Sequence, residues 1–166
     1  SSGIIVKSVQ NIRGVYSNSP VFTINAVDPN CTTILLTAFS GIPDSGAIIS
    51  KVYLSANNKL KVISTPSSSS MWLNIVVIEF DPKCVKSIQR GTLADQSGSS
   101  GTITTAISNV DPAKCIVNIY YQATGSSAPR FRTIIADTLT ANSITFDTRL
   151  TSYWLSGIYY EIIEFK

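Results

Sequence analysis

Val85-Lys86-Ser87-Ile88-Gln89-Arg90-Gly91 has an earlier echo in Val6-Lys7-Ser8-Val9-Gln10. Two further landmarks follow each copy in the same order. Val27-Asp28-Pro29-Asn30-Cys31 is answered by Val110-Asp111-Pro112-Ala113-Lys114-Cys115, and Val77-Ile78-Glu79-Phe80 by Ile162-Ile163-Glu164-Phe165. All three are displaced by about 79 to 85 positions, so a module of roughly 80 residues is used twice. The expected domains are residues 1–82 and 83–166. Each is near the small end of independently folding sizes, where a limited core gains from further packing.

Between the landmarks the chain reads as short strands separated by turn signals. In module one the strand candidates are Ile4 to Gln10, Val21 to Ile24, Thr32 to Phe39, Ile48 to Leu54, Lys59 to Val62 and Met71 to Phe80. Gly14, Asp28-Pro29-Asn30 and Ala56-Asn57-Asn58 read as turns between them. Module two repeats the order: Val85 to Gln89, Thr102 to Ile107, Cys115 to Ala123, Arg130 to Ala136, Ser143 to Phe146 and Ile158 to Phe165. Gly91 to Gly101 reads as a Gly/Ser-rich loop. No window carries the apolar spacing of a helix over ten or more positions. Short strands at regular intervals point to an all-β chain of two tandem antiparallel β-sandwich modules, with six or so strands each.

Composition narrows the function. The chain is 44% hydrophobic and only 14% charged, with a mean hydropathy of +0.22. That balance suggests apolar surface buried between chains. The net charge is +3, with basic residues scattered along the sequence. Arg130 and Arg132 are the densest pair, too few for a nucleic-acid footprint. The start has no basic region followed by a long apolar run, so neither a signal peptide nor membrane insertion is expected.

Catalytic chemistry is poorly supplied. There is no histidine, which removes the usual Ser-His and Cys-His nucleophile systems. Glu79 and Glu164 stand at equivalent strand ends in separate modules and read as ion-paired ends. Asp28 and Asp111 stand beside Pro and read as turn residues rather than cation ligands. No enzyme activity, cofactor or metal is expected. Of the three cysteines, Cys31 and Cys115 read as equivalent, with Cys84 at the junction. Small buried strand residues are the favoured reading. A Cys31–Cys115 bridge is the alternative, and requires equivalent positions to lie face to face.

Aromatic residues are the remaining handle. Tyr153, Trp154, Tyr159 and Tyr160 crowd the end of module two near Arg149, and Trp72 starts the closing strand of module one. Such residues stack on sugars or anchor interfaces. Arg149, Tyr153, Trp154 and Tyr160 are the ligand-binding candidates; Trp72 and Tyr159 are the interface candidates.

The succession of "VKSIQRG", "NVDPAKC" and "IYYEIIEF" resembles a repeat module of tailed-bacteriophage virion proteins, found in tail fibres, tail tips and head-attached fibres or spikes. The resemblance covers Val85 to Phe165 almost completely and module one more loosely. It implies a non-enzymatic virion protein: a fibre, spike or decoration subunit that assembles as a trimer with other virion proteins. The closing strand and strand order are also similar to the H-type lectin domain, a six-stranded trimeric sandwich that binds sugars. This second resemblance implies recognition of host surface glycans, with Tyr160 in the place of the usual tryptophan.

Overall fold

The structure, a computed structural model, describes residues 3–16, 20–41, 48–65, 71–94, 102–124, 135–147 and 154–166. The chain is all-β and divides into two compact units, Ser1–Val85 and Lys86–Lys166. Module one contains β1 (Val6–Tyr16), β2 (Val21–Thr23), β3 (Thr32–Gly41), β4 (Ile48–Ala56), β5 (Lys59–Thr65) and β6 (Met71–Phe80). Module two contains β7 (Val85–Ala94), β8 (Thr102–Ala106), β9 (Cys115–Thr124), β10 (Ile135–Leu139), β11 (Ser143–Asp147) and β12 (Trp154–Phe165).

The duplication seen in the residues is also a duplication of topology. Each module has a long sheet with its last strand in the middle, β1-β6-β3 and β7-β12-β9. Each also has a short sheet, β2-β5-β4 and β8-β11-β10. Hydrogen bonds of the connecting segments repeat too. Ile24 and Val27 donate their backbone N–H groups to the carbonyls of Asn58 and Asn57, as Ile107 and Val110 do to Asn142 and Ala141. The Gln10 side chain exchanges two hydrogen bonds with the Asn25 backbone, and Gln89 does the same with Ser108. An amide side chain matches the donor–acceptor pair of a peptide group, which is why this position is Gln in both copies.

Alternation along the strands places the cores. On β6, Leu73, Ile75 and Val77 are fully buried, while Trp72 on the opposite face is 58% exposed. Val52, Leu60 and Val62 supply the short sheet's buried side chains, and Tyr16 meets Phe22 edge-on at 4.6 Å. In module two one cluster joins Ile144 and Phe146 of the short sheet with Ile158, Tyr160 and Ile162 of the long sheet. Each such side chain contributes about 1.5–3 kcal/mol by leaving water.

Two glycines read as turn or loop lie inside strands. Gly14 sits within β1 opposite Leu73, with φ +152. The Tyr16 ring lies over it, and Tyr16 Oη donates to the Arg13 carbonyl at 3.1 Å. Gly91 lies in β7, and the Tyr160 ring occupies the space that its Cβ would need. Both strands therefore run further than the glycines suggest, because an aromatic ring covers the bare backbone. β10 begins at Ile135, later than Arg130, and continues to Leu139; residues 130–134 lie outside the described residues.

The Asp-Pro signals become single 3-10 turns, Pro29–Cys31 and Pro112–Lys114. Asp28 Oδ1 accepts from Asn30 N at 2.9 Å, and Asp111 Oδ1 from Ala113 N at 3.1 Å. This is N-cap chemistry with Pro at the first helical position.

The turns also correct the cysteine register. Cys31 N donates to the Asp28 carbonyl as Lys114 N does to that of Asp111. Thr32 Oγ1 donates to the Asp28 carbonyl at 2.7 Å, and Cys115 Sγ to that of Asp111 at 3.2 Å. Cys115 is therefore the counterpart of Thr32, not of Cys31. Asp28 to Thr32 and Asp111 to Cys115 thus align without an insertion, and matching the two cysteines by type shifts the register by one. All three cysteines are free thiols.

Gly91→Ala is expected to lower unfolding free energy by about 1–3 kcal/mol, because the added methyl meets a packed ring. Gly157→Ala, whose Cβ would lie 3.4 Å from the Leu93 carbonyl oxygen, is expected to be neutral or slightly stabilising. Urea unfolding midpoints of the two variants check this contrast.

Candidate functional site

The three landmarks of the repeat converge on one carboxylate in each module. Glu79 accepts from Lys7 Nζ at 2.8 Å, Ser8 Oγ at 3.2 Å and Asp28 N at 3.1 Å. Glu164 accepts from Lys86 Nζ at 2.8 Å, Ser87 Oγ at 3.2 Å and Asp111 N at 2.8 Å. A register shift between Val6 and Ser8 lets consecutive residues of β1 reach the same side chain. The glutamate side chains are 4% and 1% exposed, whereas both lysines are 56% exposed. Each lysine thus lays its stem over the site and keeps its ammonium partly in water.

Burial disfavours the ionised form of Glu79, but the hydrogen bonds from Lys7, the Asp28 N–H and Ser8 together outweigh it and hold its pKa below the ordinary value. The hydrogen bond from Lys86 is the leading cause at Glu164, opposed by burial and reinforced by the Asp111 N–H, again with a net lowering. Their partners are stabilised as cations: hydrogen bonding to the glutamates raises Lys7 and Lys86. Carboxylates saturated in this way are suited to clamping strand ends, not to moving protons.

Module two adds a second ionic contact on the other face of β12. Arg90 Nε donates to Glu161 Oε2 at 2.7 Å, and Asn118 Nδ2 lies 3.5 Å from Glu161 Oε1. Tyr159 stacks on Tyr120 at 6.2 Å beside them, and burial raises its pKa. Glu161 and Glu164 point to opposite faces of one strand, so they do not form the facing carboxylate pair of a glycosidase.

Among the described residues, Tyr159 and Tyr160 lie on opposite faces of β12. Tyr160, expected to touch a ligand, is 8% exposed in the module-two core, with its ring 5.8 Å from that of Phe146. Its alternation with Ile158 and Ile162 on the inner face explains the burial. Tyr159, expected at an interface, is 9% exposed and packed on Tyr120. Trp154 begins β12 opposite Thr124. Arg149 and Tyr153 lie outside the described residues. Trp72 is on the outer face of β6, between Val15 of β1 and Ser40 of β3 in register.

Folding also gathers basic residues that look scattered in the sequence. On the outer face of the module-one short sheet, Tyr53 stands opposite Lys61, which stands opposite Val21; Lys51 stands opposite Ile63, and Lys59 opposite Thr23. Lys51 Nζ lies 4.5 Å from the centre of the Tyr53 ring. Burial lowers its pKa. The alternation of Lys59-Leu60-Lys61-Val62 is that of a strand with one wet face, but linear spacing does not reveal the contribution of β4. No family model, characterised protein or solved structure matches the chain.

Glu79→Gln and Glu164→Gln are each expected to cost about 1–3 kcal/mol at neutral pH, because a charge-assisted acceptor is replaced by a group that also donates. The native glutamates titrate below their unfolded value of about 4.3. Their contribution is present above that value and lost as pH falls through the lower folded value. Urea midpoints measured from about pH 7 to 2 are therefore expected to fall more gently below about pH 4.5 in the double variant than in the native chain.

Proposed function

We propose that this chain is a non-enzymatic structural subunit of a tailed-bacteriophage particle: a fibre, spike or decoration protein, exposed on the particle and assembled as a trimer with other virion proteins. The observation that carries the reading is the outer face of the module-one long sheet. Val9 is 52% exposed, Val15 50% and Trp72 58%, on the side opposite the buried Leu73, Ile75 and Val77. The same face also carries Asn11 and the Arg13–Asn74 hydrogen-bonded pair, so its apolar side chains stand beside polar ones, as at the rim and core of a subunit contact. In module two, the residue seven positions before the buried glutamate is Gly157 rather than a tryptophan. The central side chains Tyr159, Glu161 and Ile163 of that outer face are themselves buried.

The repeat landmarks support the virion assignment through the resemblance that they carry. A duplicated β-module with few charges suits a rigid part exposed on a particle. The glycan-binding alternative, with its H-type lectin geometry, loses Tyr160 as a surface aromatic.

Light scattering at low micromolar concentration is expected to return a mass near three times 17.9 kDa. Trp72→Lys combined with Val15→Lys is expected to return the monomer mass with the fold retained by circular dichroism. A monomeric native chain, or a trimer indifferent to these substitutions, would refute the trimer and its assigned face.

A further inference from the structure

The short sheets of the two modules have the same topology and opposite charge. In module one, β2, β4 and β5 carry Lys51, Lys59 and Lys61 and no acidic residue. In module two, β8, β10 and β11 carry Asp137 and Asp147 and no basic residue. Register makes the contrast position by position. The row Val21–Lys61–Tyr53 is matched by Thr104–Thr145–Thr138. Thr104 and Thr145 share a hydrogen bond at 2.9 Å. Lys59, opposite Thr23, is matched by Ser143, opposite Ala106.

Module two serves as an internal control. It forms the same three strands with Ser143 and Thr145 in place of Lys59 and Lys61 and Ile135 in place of Lys51, so the fold does not require lysine there. Like charges crowded on one face also carry an electrostatic cost that Ser143 and Thr145 avoid. Lys59 and Lys61 project from the same face about 6.8 Å apart. Lys51 adds a third cation from the far strand, beside the Tyr53 ring. From this face we infer that the module-one short sheet binds an anionic polysaccharide, a sugar chain carrying sulfate, phosphate or carboxylate groups.

Charge complementarity sets the sign of the ligand, and the rest of the face sets its class. Lysines are point charges that accept any anionic oxygen, without the bidentate geometry that arginine imposes. These three strands contain no arginine. Three cations fall short of the basic stripe of a nucleic-acid surface and of the four to eight residues typical of an anionic-membrane site. Tyr53, flanked by Lys51 and Lys61, offers a ring edge and a hydroxyl to a sugar. The inference deepens the reading of an exposed particle subunit by giving it a ligand, but it is measured separately from the trimer.

The test uses the full chain and dextran sulfate, with neutral dextran of the same length as control. Dextran sulfate is expected to bind in low salt and weaken as salt rises, and dextran is expected not to bind. Lys59→Gln with Lys61→Gln is expected to lower affinity about tenfold or more. Lys83→Gln with Lys114→Gln removes the same charge elsewhere and is expected to change it less than about threefold. Lys51→Gln, on a different strand, is expected to weaken binding about threefold or more, keeping the test open if the first pair fails to fold. Equal losses in the two double variants, equal binding of neutral dextran, or no binding of dextran sulfate would overturn the inference. Tighter binding of single-stranded DNA or of phosphatidylserine vesicles would also overturn it, in favour of those partners. A trimer that fails this test keeps the structural reading and loses only the ligand.

Discussion

A buried carboxylate that must find donors is the constraint around which each module is built. Glu79 and Glu164 lie near the ends of the central strands of the long sheets, with side chains almost wholly out of water. An ionised group there is tolerated only with its acceptor positions filled. The filling comes from three donors in two places: a lysine and a serine on the first strand, and the backbone N–H of the Asp-Pro turn. One side chain thereby ties the beginning, the first third and the end of an 80-residue unit to each other. A one-residue slip of β6 would move the glutamate to the outer face and leave Asp28 N without its acceptor. The interaction thus acts on strand register as well as on stability.

Seen this way, the sequence repeat is the footprint of a single network. Val-Lys-Ser, Val-Asp-Pro and Ile-Glu-Phe recur because they supply the donors and acceptor of that one contact. Outside it the modules have diverged freely. The face of the long sheet that carries Val76 and Trp72 in module one carries Glu161, paired with Arg90, in module two. Lysines on one short sheet give way to threonine and serine on the other. Conserved chemistry between copies marks what folds the module. Differing chemistry marks what each copy is free to do.

Much of the fold was legible because turns and alternation are local signals. Met71 to Phe80 is read with its observed bounds, and Thr32 and Cys115 start their strands as expected. Gly14 and Gly91 misled because a glycine breaks a strand only if nothing packs over it, and the covering ring at Gly91 comes from Tyr160, far along the chain. The ion-paired role of the glutamates was foreseeable from their position, but their common partners were not, since those lie some 50 to 80 residues away. The burial of Tyr160 was not legible for a different reason. Tyr159 and Tyr160 are adjacent in sequence, and only the inner-face alternation with Ile158 and Ile162 decides which ring enters the core. Tyr159 and Tyr160 are therefore split across the two faces of one strand.

The same split bears on how a surface can evolve in such a module. A strand residue on the inner face is bound to its partners across the core, whereas its neighbour on the outer face answers only to cross-strand pairs. Lys61 and Leu60 illustrate the rule: Leu60 is fully buried, and its counterpart Ile144 is apolar and buried as well. Lys61 faces outward, and its counterpart is Thr145. Substitution on the outer register changes charge without disturbing packing, so a duplicated module can acquire a different surface in each copy. Lys59 and Lys61, standing where the second copy has Ser143 and Thr145, are such a change: the strand pairing is the same with either pair of side chains.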